Sequence, residues 1–154
     1  AKKALGLGMH LAVYDPNINE VELEWSVAQN LLRYKVQTVQ LENVWAASDV
    51  ITFHVPGGEI IGHSELKQLK KGVVLINTAR GGVINESALI EALDQGIVAH
   101  ACLDVFENEP QPSEFLLRHP RIALSPHIGA ATIEAQERIG QELAELLLQA
   151  YTNG

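Results

Sequence analysis

The chain has 154 residues, of which 47% are hydrophobic, and this is enough for one domain with a sizeable core. Its formal net charge is −8 and no basic stripe is visible, so neither nucleic acid nor an anionic membrane is expected as a partner. No apolar run reaches membrane-spanning length. The six His lack the spacing of metal ligands, so no metal site is expected. The single cysteine, Cys102, suits a reducing cytosol.

The chain starts inside a helical pattern, "AKKALGLGM", which has no residue suited to cap it. Because the first residue is also not Met, the sequence is interpreted as a fragment. Apolar runs then alternate with amphipathic segments, a pattern typical of βαβ units around a parallel sheet. The predicted strands are His10–Tyr14, Val50–Val55, Val73–Asn77, Ala99–Asp104 and Ile122–Ser125, and the predicted helices are Leu41–Ser48, Ser64–Leu69, Glu86–Gln95 and Thr132–Ala150.

Residues 21–39 interrupt this alternation. Apolar and polar residues alternate in "VELEW" and again in "LRYKVQTV", on either side of a short polar link at Ser26–Asn30. Period two on both sides predicts a β-hairpin inserted near 21–39. The alternative is a helical turn across "SVAQNLLRY".

Three chemically useful side chains lie at or just past the ends of three predicted strands: Arg80, Asp104 and His127. Taken singly, each is more often a solvated loop or surface residue. Because the carboxyl ends of parallel strands meet at one edge of the sheet, where α/β folds bind ligands, the three together indicate an active site. Asp15 follows the first predicted strand, where an acid accepts hydrogen bonds from a dinucleotide's ribose; on its own, an Asp before Pro16 is more often a turn residue.

Three motifs, "NTARGGVINESAL", "LDVFENEP" and "SPHIGAATIEAQERIG", resemble the cofactor-binding domain of the D-isomer-specific 2-hydroxyacid dehydrogenases. The similarity runs from residue 1 to about residue 148, and within the family it is greatest to the branch that oxidises 3-phosphoglycerate in serine biosynthesis. The resemblance implies a Rossmann-like doubly wound parallel α/β sheet with helices on both faces. It also implies a cytoplasmic, homodimeric, NAD-dependent oxidoreductase acting on a small 2-hydroxy acid.

The resemblance also implies roles for individual residues. Arg80 would bind the substrate carboxylate, His127 would be the general acid and base, and Glu109 would pair with its imidazole. The residues expected around the cofactor are Asp15 and Pro16 at the ribose, Val55, Pro56, Thr78, Ala79, Arg80, Asp104 and His127, and the loop Gly129–Ala130.

The Gly-rich phosphate loop of such domains is not among these residues, because the glycines of "GLG" at 6–8 end a helix instead of opening one. By comparison with the family, that loop and the first strand are expected before residue 1. Residues 1–150 would then be an NAD-binding domain without its start, 151–154 a tail, and the substrate domain would be absent. Such a fragment is expected to be inactive alone and to bind NAD weakly.

Two other interpretations stay open. An NAD(H)-sensing interaction protein, similar to the C-terminal-binding corepressors, would share the same fold and the same triad of Arg80, Glu109 and His127. The predicted hairpin argues against this interpretation. A truncated remnant that binds nothing is the other. Cofactor titration separates the remnant from the rest, and a turnover assay separates the enzyme from the sensor.

Overall fold

A computed structural model describes residues 1–27 and 30–152 of the chain. The helices are α1 (Lys2–Gly6), α2 (Leu41–Ala47), α3 (His63–Leu66), α4 (Glu86–Asp94), α5 (Glu114–Leu117) and α6 (Ile133–Thr152). The strands are β1 (Glu20–Val27), β2 (Asn30–Gln37), β3 (Val50–Phe53), β4 (Val73–Asn77), β5 (Val98–Leu103) and β6 (Ile122–Leu124).

The centre of the fold is a parallel sheet with strand order β3-β4-β5-β6. Helices α3, α4 and α5 connect successive strands, as parallel neighbours require. Leu75 on β4, Leu89 and Leu93 on α4 and Val98 on β5 are fully buried where helix and sheet pack. The predicted α/β sheet flanked by helices is confirmed, and parallel pairing places the carboxyl ends of all four strands at one edge.

The predicted boundaries of these elements are close to the observed ones. Strand β4 is as predicted, whereas β3 ends at Phe53 instead of Val55. Phe53 is three residues before Pro56, which cannot donate to a ladder. Helix α6 continues to Thr152 instead of ending at Ala150. Helix α5 was not predicted, because a four-residue helix is too short to show a helical period.

The prediction of a strand at His10–Tyr14 is wrong. This segment forms a single parallel bridge, Val13 to Thr38, where the Val39 N–H donates to the Val13 carbonyl at 2.8 Å. A strand needs a ladder on at least one side, and within the described ranges only this bridge is available. Among the described residues, strand β3 pairs only with β4. Residues 10–14 and β3 therefore do not pair with each other.

The predicted hairpin is confirmed in the described residues, which rules out the helical turn. Strands β1 and β2 pair antiparallel from Glu20–Gln37 to Val27–Asn30, and residues 28 and 29 of the predicted link lie outside the described ranges. One face carries a charged ladder in which Arg33 lies 2.6 Å from Glu24. The opposite face buries Leu23 and Val36, as period-two alternation requires.

Helix α6 has the predicted amphipathic pattern but buries none of it against the described part of the chain. Its apolar stripe is more than half exposed, at Ile139, Leu143, Leu146 and Leu147. The stripe therefore contributes nothing to the core formed by residues 1–27 and 30–152. Among those residues, no helix combines the length and apolar character needed to cross a membrane.

Candidate active site

The Arg80 loop is shaped by Asn77, the last residue of β4. The buried Asn77 amide donates from Nδ2 to the Arg80 carbonyl at 2.9 Å, and its Oδ1 accepts from the Ala79 N–H at 3.1 Å. These two bonds fold the chain tightly at the strand end and turn the Arg80 side chain out to solvent. The guanidinium uses Nη1 to donate to the Ala79 carbonyl at 2.6 Å, which leaves most of its fork of N–H donors exposed.

The loop after β3 lies beside this arginine. A Cβ placed on Gly57 would be 4.0 Å from Cγ of Arg80, so the two loops are in van der Waals range. Val55 is half-buried and Pro56 exposed at the start of the same loop. The structure therefore brings the predicted Val55–Pro56 loop and Arg80 to neighbouring positions at the carboxyl edge of the sheet.

Asp104, directly after β5, holds the loop that carries His127. Its Oδ1 accepts from the Ser125 hydroxyl at 2.5 Å and the Ile128 N–H at 3.0 Å, and its Oδ2 accepts from the Gly129 N–H at 2.8 Å. Burial raises the pKa of this carboxyl, but the bonds from Ser125, Ile128 and Gly129 outweigh burial and hold the pKa below its usual value. Asp104 is therefore a carboxylate that holds the backbone directly after His127 and the Ser125 side chain before it.

Position 129 requires a glycine because of this contact. A Cβ on Gly129 would lie 2.9 Å from Asp104 Oδ2, too close for a carbon atom next to a carboxylate oxygen. Without a side chain, the backbone N–H can approach and donate. The following residue, Ala130, is exposed in a turn.

His127 and Glu109 form a direct pair across two loops. Nδ1 of His127 lies 2.7 Å from Oε2 of Glu109, and Oε1 of the same carboxyl accepts from the Phe106 N–H at 3.0 Å. The bond from His127, together with the Phe106 N–H, lowers the pKa of the Glu109 carboxyl. An ionised carboxylate only accepts hydrogen bonds, so Nδ1 carries the proton and Nε2 is the ring nitrogen free to exchange one.

The backbone of His127 has φ 54°, in the left-handed region. Such a conformation is uncommon for a residue with a side chain and persists where the surroundings hold it. Here the hydrogen bonds that the Ile128 and Gly129 amides donate to Asp104 provide that restraint. The imidazole stays about half exposed, which leaves it accessible to a ligand.

Thr78, Asp104 and Ser125 border one open cleft of about 150 Å³ between the ends of β4, β5 and β6. His127 and Glu109 border a second, largely apolar one of about 370 Å³. The predicted residues Thr78, Ala79, Arg80, Asp104, Glu109, His127, Gly129 and Ala130 thus lie on the loops that follow three adjacent strands.

Asp15 and Pro16 lie outside the four-stranded sheet, beyond the Val13–Thr38 bridge. Oδ1 of Asp15 accepts from the Asn17 N–H at 2.8 Å, which is the turn role expected of an Asp before proline. Because this bond uses only Oδ1, the turn does not exclude a contact between Oδ2 and a ribose.

Sequence reasoning missed two residues that shape the site, Asn77 and Ser125. Asn77 ends an apolar run, and a polar residue at a buried position needs hydrogen-bond partners, so its place in the pattern was a usable signal. Ser125 was predicted only as the end of a strand. Its bond to Asp104 joins residues 21 apart, which no local pattern indicates.

Replacing Asp104 with Asn is expected to destabilise the folded chain at neutral pH by about 1–3 kcal/mol, because an amide cannot accept from all three donors. The carboxyl has a depressed pKa in the folded state, so its contribution is complete above the unfolded pKa and is lost as pH falls through the folded pKa. Urea unfolding at pH 7 and at pH 3 measures this. The difference between the two proteins should shrink at pH 3, and an equal difference at both values would contradict the role of the charge.

The family model described as "D-isomer specific 2-hydroxyacid dehydrogenase, NAD binding domain" matches residues 1–129. The chain therefore belongs to this family, as the three motifs predicted. Because the matching model is that of the NAD-binding domain, the predicted cofactor is confirmed as the cofactor of the family.

Individual relatives carry more than one activity in their names. The chain is 41% identical to a hydroxypyruvate reductase of Thermotoga maritima, over 97% of this chain and 47% of that protein. It is 39% identical to a D-3-phosphoglycerate dehydrogenase of Bacillus subtilis, over 97% of this chain and 28% of that protein. A crystal structure of a glyoxylate reductase from Paecilomyes thermophila is similar with a TM-score of 0.64 and 44% identity, covering 68% of this chain and 33% of that one.

In each of these comparisons the chain spans less than half of the length of the relative.

Proposed function

We propose that this chain is the NAD-binding domain of a dehydrogenase that oxidises a D-2-hydroxy acid, with residues 1–150 forming that domain. The observation that carries the proposal is the His127–Glu109 pair, 2.7 Å apart, on the same edge of the sheet as Arg80. A base for the hydroxyl proton and a cation for the carboxylate are the two groups that such an oxidation needs from the protein.

His127 would take the proton of the substrate hydroxyl on Nε2. The hydrogen bond from Nδ1–H to Glu109 fixes the tautomer that leaves Nε2 without a proton, and the nearby carboxylate stabilises the imidazolium that forms. In the reverse reaction the same nitrogen returns the proton to the carbonyl oxygen. The left-handed backbone at His127, held by Asp104, sets where the ring lies.

Arg80 would bind the carboxylate of the substrate. A guanidinium matches a planar carboxylate with two parallel hydrogen bonds, and the exposed Arg80 fork is free to make them. Asn77, which holds the Arg80 carbonyl, keeps this loop in one conformation. With the carboxylate fixed, the 2-hydroxyl is restricted in where it lies relative to His127.

The residues at the sheet edge fit a nicotinamide dinucleotide. The cleft bordered by Thr78 and Asp104 is open, and the Gly129 N–H donates to Asp104, so the Gly129 loop lies next to one wall of the cleft. Thr78, Ala79, Asp104, Gly129 and Ala130 would hold the nicotinamide side, with Val55 and Pro56 alongside and Asp15 and Pro16 at the ribose. NAD, when bound, would supply the acceptor for the hydride that leaves C2 of the substrate.

For the substrate we propose 3-phosphoglycerate, oxidised to 3-phosphohydroxypyruvate in serine biosynthesis. Support comes from the 39% identity to the Bacillus subtilis enzyme, although the relative from Thermotoga maritima is named for hydroxypyruvate. The test is kcat/KM of the protein that contains this chain with D-3-phosphoglycerate, D-glycerate and glycolate. A clear preference for the phosphorylated acid is expected; equal values would reject this substrate and leave the class of reaction standing.

We propose that Asp15 selects NAD over NADP. An acid facing a 2′-phosphate is repelled, whereas ribose hydroxyls donate charge-assisted hydrogen bonds to it. Asp15→Ser should therefore narrow the ratio of NADH to NADPH affinity, measured by fluorescence titration, and Glu42→Ser, an exposed acid on α2, should leave it unchanged. An unaltered ratio in the Asp15 variant would contradict the assignment.

The Glu109→Gln variant is expected to shift the pH dependence of turnover more than its maximum. Gln keeps an oxygen for the Phe106 N–H but removes the negative charge beside the imidazole, which makes protonated His127 less favourable. The profile for keto-acid reduction should therefore move to lower pH. A profile that coincides with that of the unsubstituted enzyme would show that Glu109 and His127 do not act as a pair.

The relatives are more than twice as long as this chain, which supports a longer protein with two domains. The substrate domain would correspond to the part of the relatives that this chain does not match. As part of the same proposal, the protein is a cytoplasmic homodimer. It binds a small 2-hydroxy acid as substrate and binds neither nucleic acid nor membranes. The net charge of −8 and the free Cys102 are consistent with this.

A further inference from the structure

Two carboxylates outside the site described above hold each other's backbone. Oε1 of Glu107 accepts from the Glu86 N–H at 2.9 Å, and Oε1 of Glu86 accepts from the Glu107 N–H at 2.8 Å. The Glu86 amide is in the first turn of α4, where backbone N–H groups have no partner within the helix. The reciprocal pair therefore ties the start of α4 to the turn that follows β5.

This contact is retained against an electrostatic penalty. Burial raises the pKa of the Glu86 carboxyl, the Glu107 N–H opposes that rise, and the charge of Glu107 adds to it. Two like charges repel each other more strongly away from water, and Glu86 is only 7% exposed. The two backbone hydrogen bonds offset this repulsion, because each carboxylate satisfies the N–H of the other residue.

The turn tied in this way is the one that carries Glu109. Two residues after Glu107, the Glu109 carboxyl folds back onto the Phe106 N–H with one oxygen and onto His127 with the other. The turn also contacts the Arg80 loop. A Cβ on Gly81 would overlap the Phe106 carbonyl oxygen, so the backbone next to Arg80 packs closely against the same turn. The turn 106–109 thus lies between the Arg80 loop and His127.

We propose that Glu107 and Glu86 are positioning residues for the active site, holding the turn 106–109 at the distance from the Arg80 loop that brings Glu109 onto His127. The inference rests on the roles proposed for His127 and Glu109. Neither glutamate is proposed to contact substrate or cofactor. Both act through the backbone of the turn 106–109.

The test compares Glu107→Ala with Glu107→Gln by NMR of the protein that contains this chain, without added cofactor or substrate. Alanine removes the acceptor for the Glu86 N–H, whereas glutamine keeps an oxygen acceptor and removes only the charge. We expect Glu107→Ala to speed hydrogen exchange of the Phe106 amide about tenfold and to raise the pKa of the Glu109 carboxyl toward its ordinary value. Glu107→Gln should retain the exchange rate and the pKa of the original chain.

Two controls separate positioning from a general loss of stability. Exchange at the Leu75 amide, in the core strand β4, should not change in the alanine variant. Glu91→Ala removes an exposed carboxylate from the same helix, where it lies 3.5 Å from His63, and should alter neither readout at the turn. If the alanine variant does not fold, Glu107→Asp, which withdraws the acceptor by one methylene, takes its place with the same expected directions.

The proposal is overturned if Phe106 exchange and the Glu109 pKa are unchanged in the acceptor-deleting variant, or if Leu75 exchange accelerates as much as Phe106 exchange. It is also overturned if glutamine disturbs the turn as much as alanine does, because charge and not the backbone bracket would then be responsible. None of these measurements needs turnover, so absence of dehydrogenase activity would refute the proposed function separately from this inference.

Discussion

Replacing His127 with alanine should lower kcat of the dehydrogenase that contains this chain by about 10²–10⁴-fold, the range typical of a lost general acid or base. The reason lies in the geometry of the pair: Nδ1 is engaged by Glu109 at 2.7 Å, so Nε2 is the group able to take the hydroxyl proton. Steady-state kinetics with saturating substrate measure the loss.

The same variant should bind NADH with nearly unchanged affinity, because the ring is proposed to act on the hydroxyl. The backbone of the loop is held by Asp104 through the amides of Ile128 and Gly129, and these bonds do not involve the imidazole. His119→Ala, which changes a His whose Nε2 lies 3.4 Å from Oδ1 of Asp94 at the end of α4, is the control and should keep its turnover. A kcat within a few-fold of the original value for His127→Ala would reject the assignment.

Replacing Gly81 with alanine is expected to destabilise the fold by about 3 kcal/mol, the upper end of the range for overpacking. The added Cβ would overlap both the oxygen and the carbon of the Phe106 carbonyl, and these neighbours are backbone atoms that cannot rotate away. The turn 106–109 or the Arg80 loop must move, and either movement separates groups of the proposed site. Chemical denaturation monitored by circular dichroism measures the free energy of unfolding.

Gly140→Ala provides the control for this substitution. Gly140 lies inside α6, and a Cβ added there would have no neighbouring atom within 4 Å outside the helix's own backbone, so alanine adds no clash. Alanine there should be neutral or stabilise the helix by up to about 1 kcal/mol. Equal effects of the two substitutions would show that the contact between Gly81 and Phe106 is not tight.

The sheet was predictable from sequence because its strands are short apolar runs that alternate with amphipathic segments. Val73–Ile76, for example, is continuously apolar, and such runs are bounded by Pro, Gly or polar residues. The hairpin was predictable for the opposite reason, since one face is charged and one apolar. His10–Tyr14 has the composition of a strand but forms only a bridge, because strand formation depends on a neighbour that composition does not report.

The chemical groups of the candidate site were predictable from sequence, but the hydrogen bonds that hold them in place were not. Arg80, Asp104 and His127 could be placed at one edge because parallel strands end together. The resemblance implied that Asp104 lines the nicotinamide side, and the structure adds that Asp104 accepts three hydrogen bonds from the His127 loop. Those bonds, and the Glu86–Glu107 contact, join residues 21 or more positions apart, and no local period encodes such pairs.

The most direct test of the central claim is the rate of NADH formation, followed by its absorbance, by the protein that contains this chain. The substrates are the D and L isomers of glycerate and D-3-phosphoglycerate, each with NAD. The account predicts NADH formation with the D acids, a much lower rate with L-glycerate, and loss of the rate with D acids in Arg80→Gln. Tight NADH binding without turnover of any D acid would contradict it and would favour a nucleotide-sensing protein of the same fold.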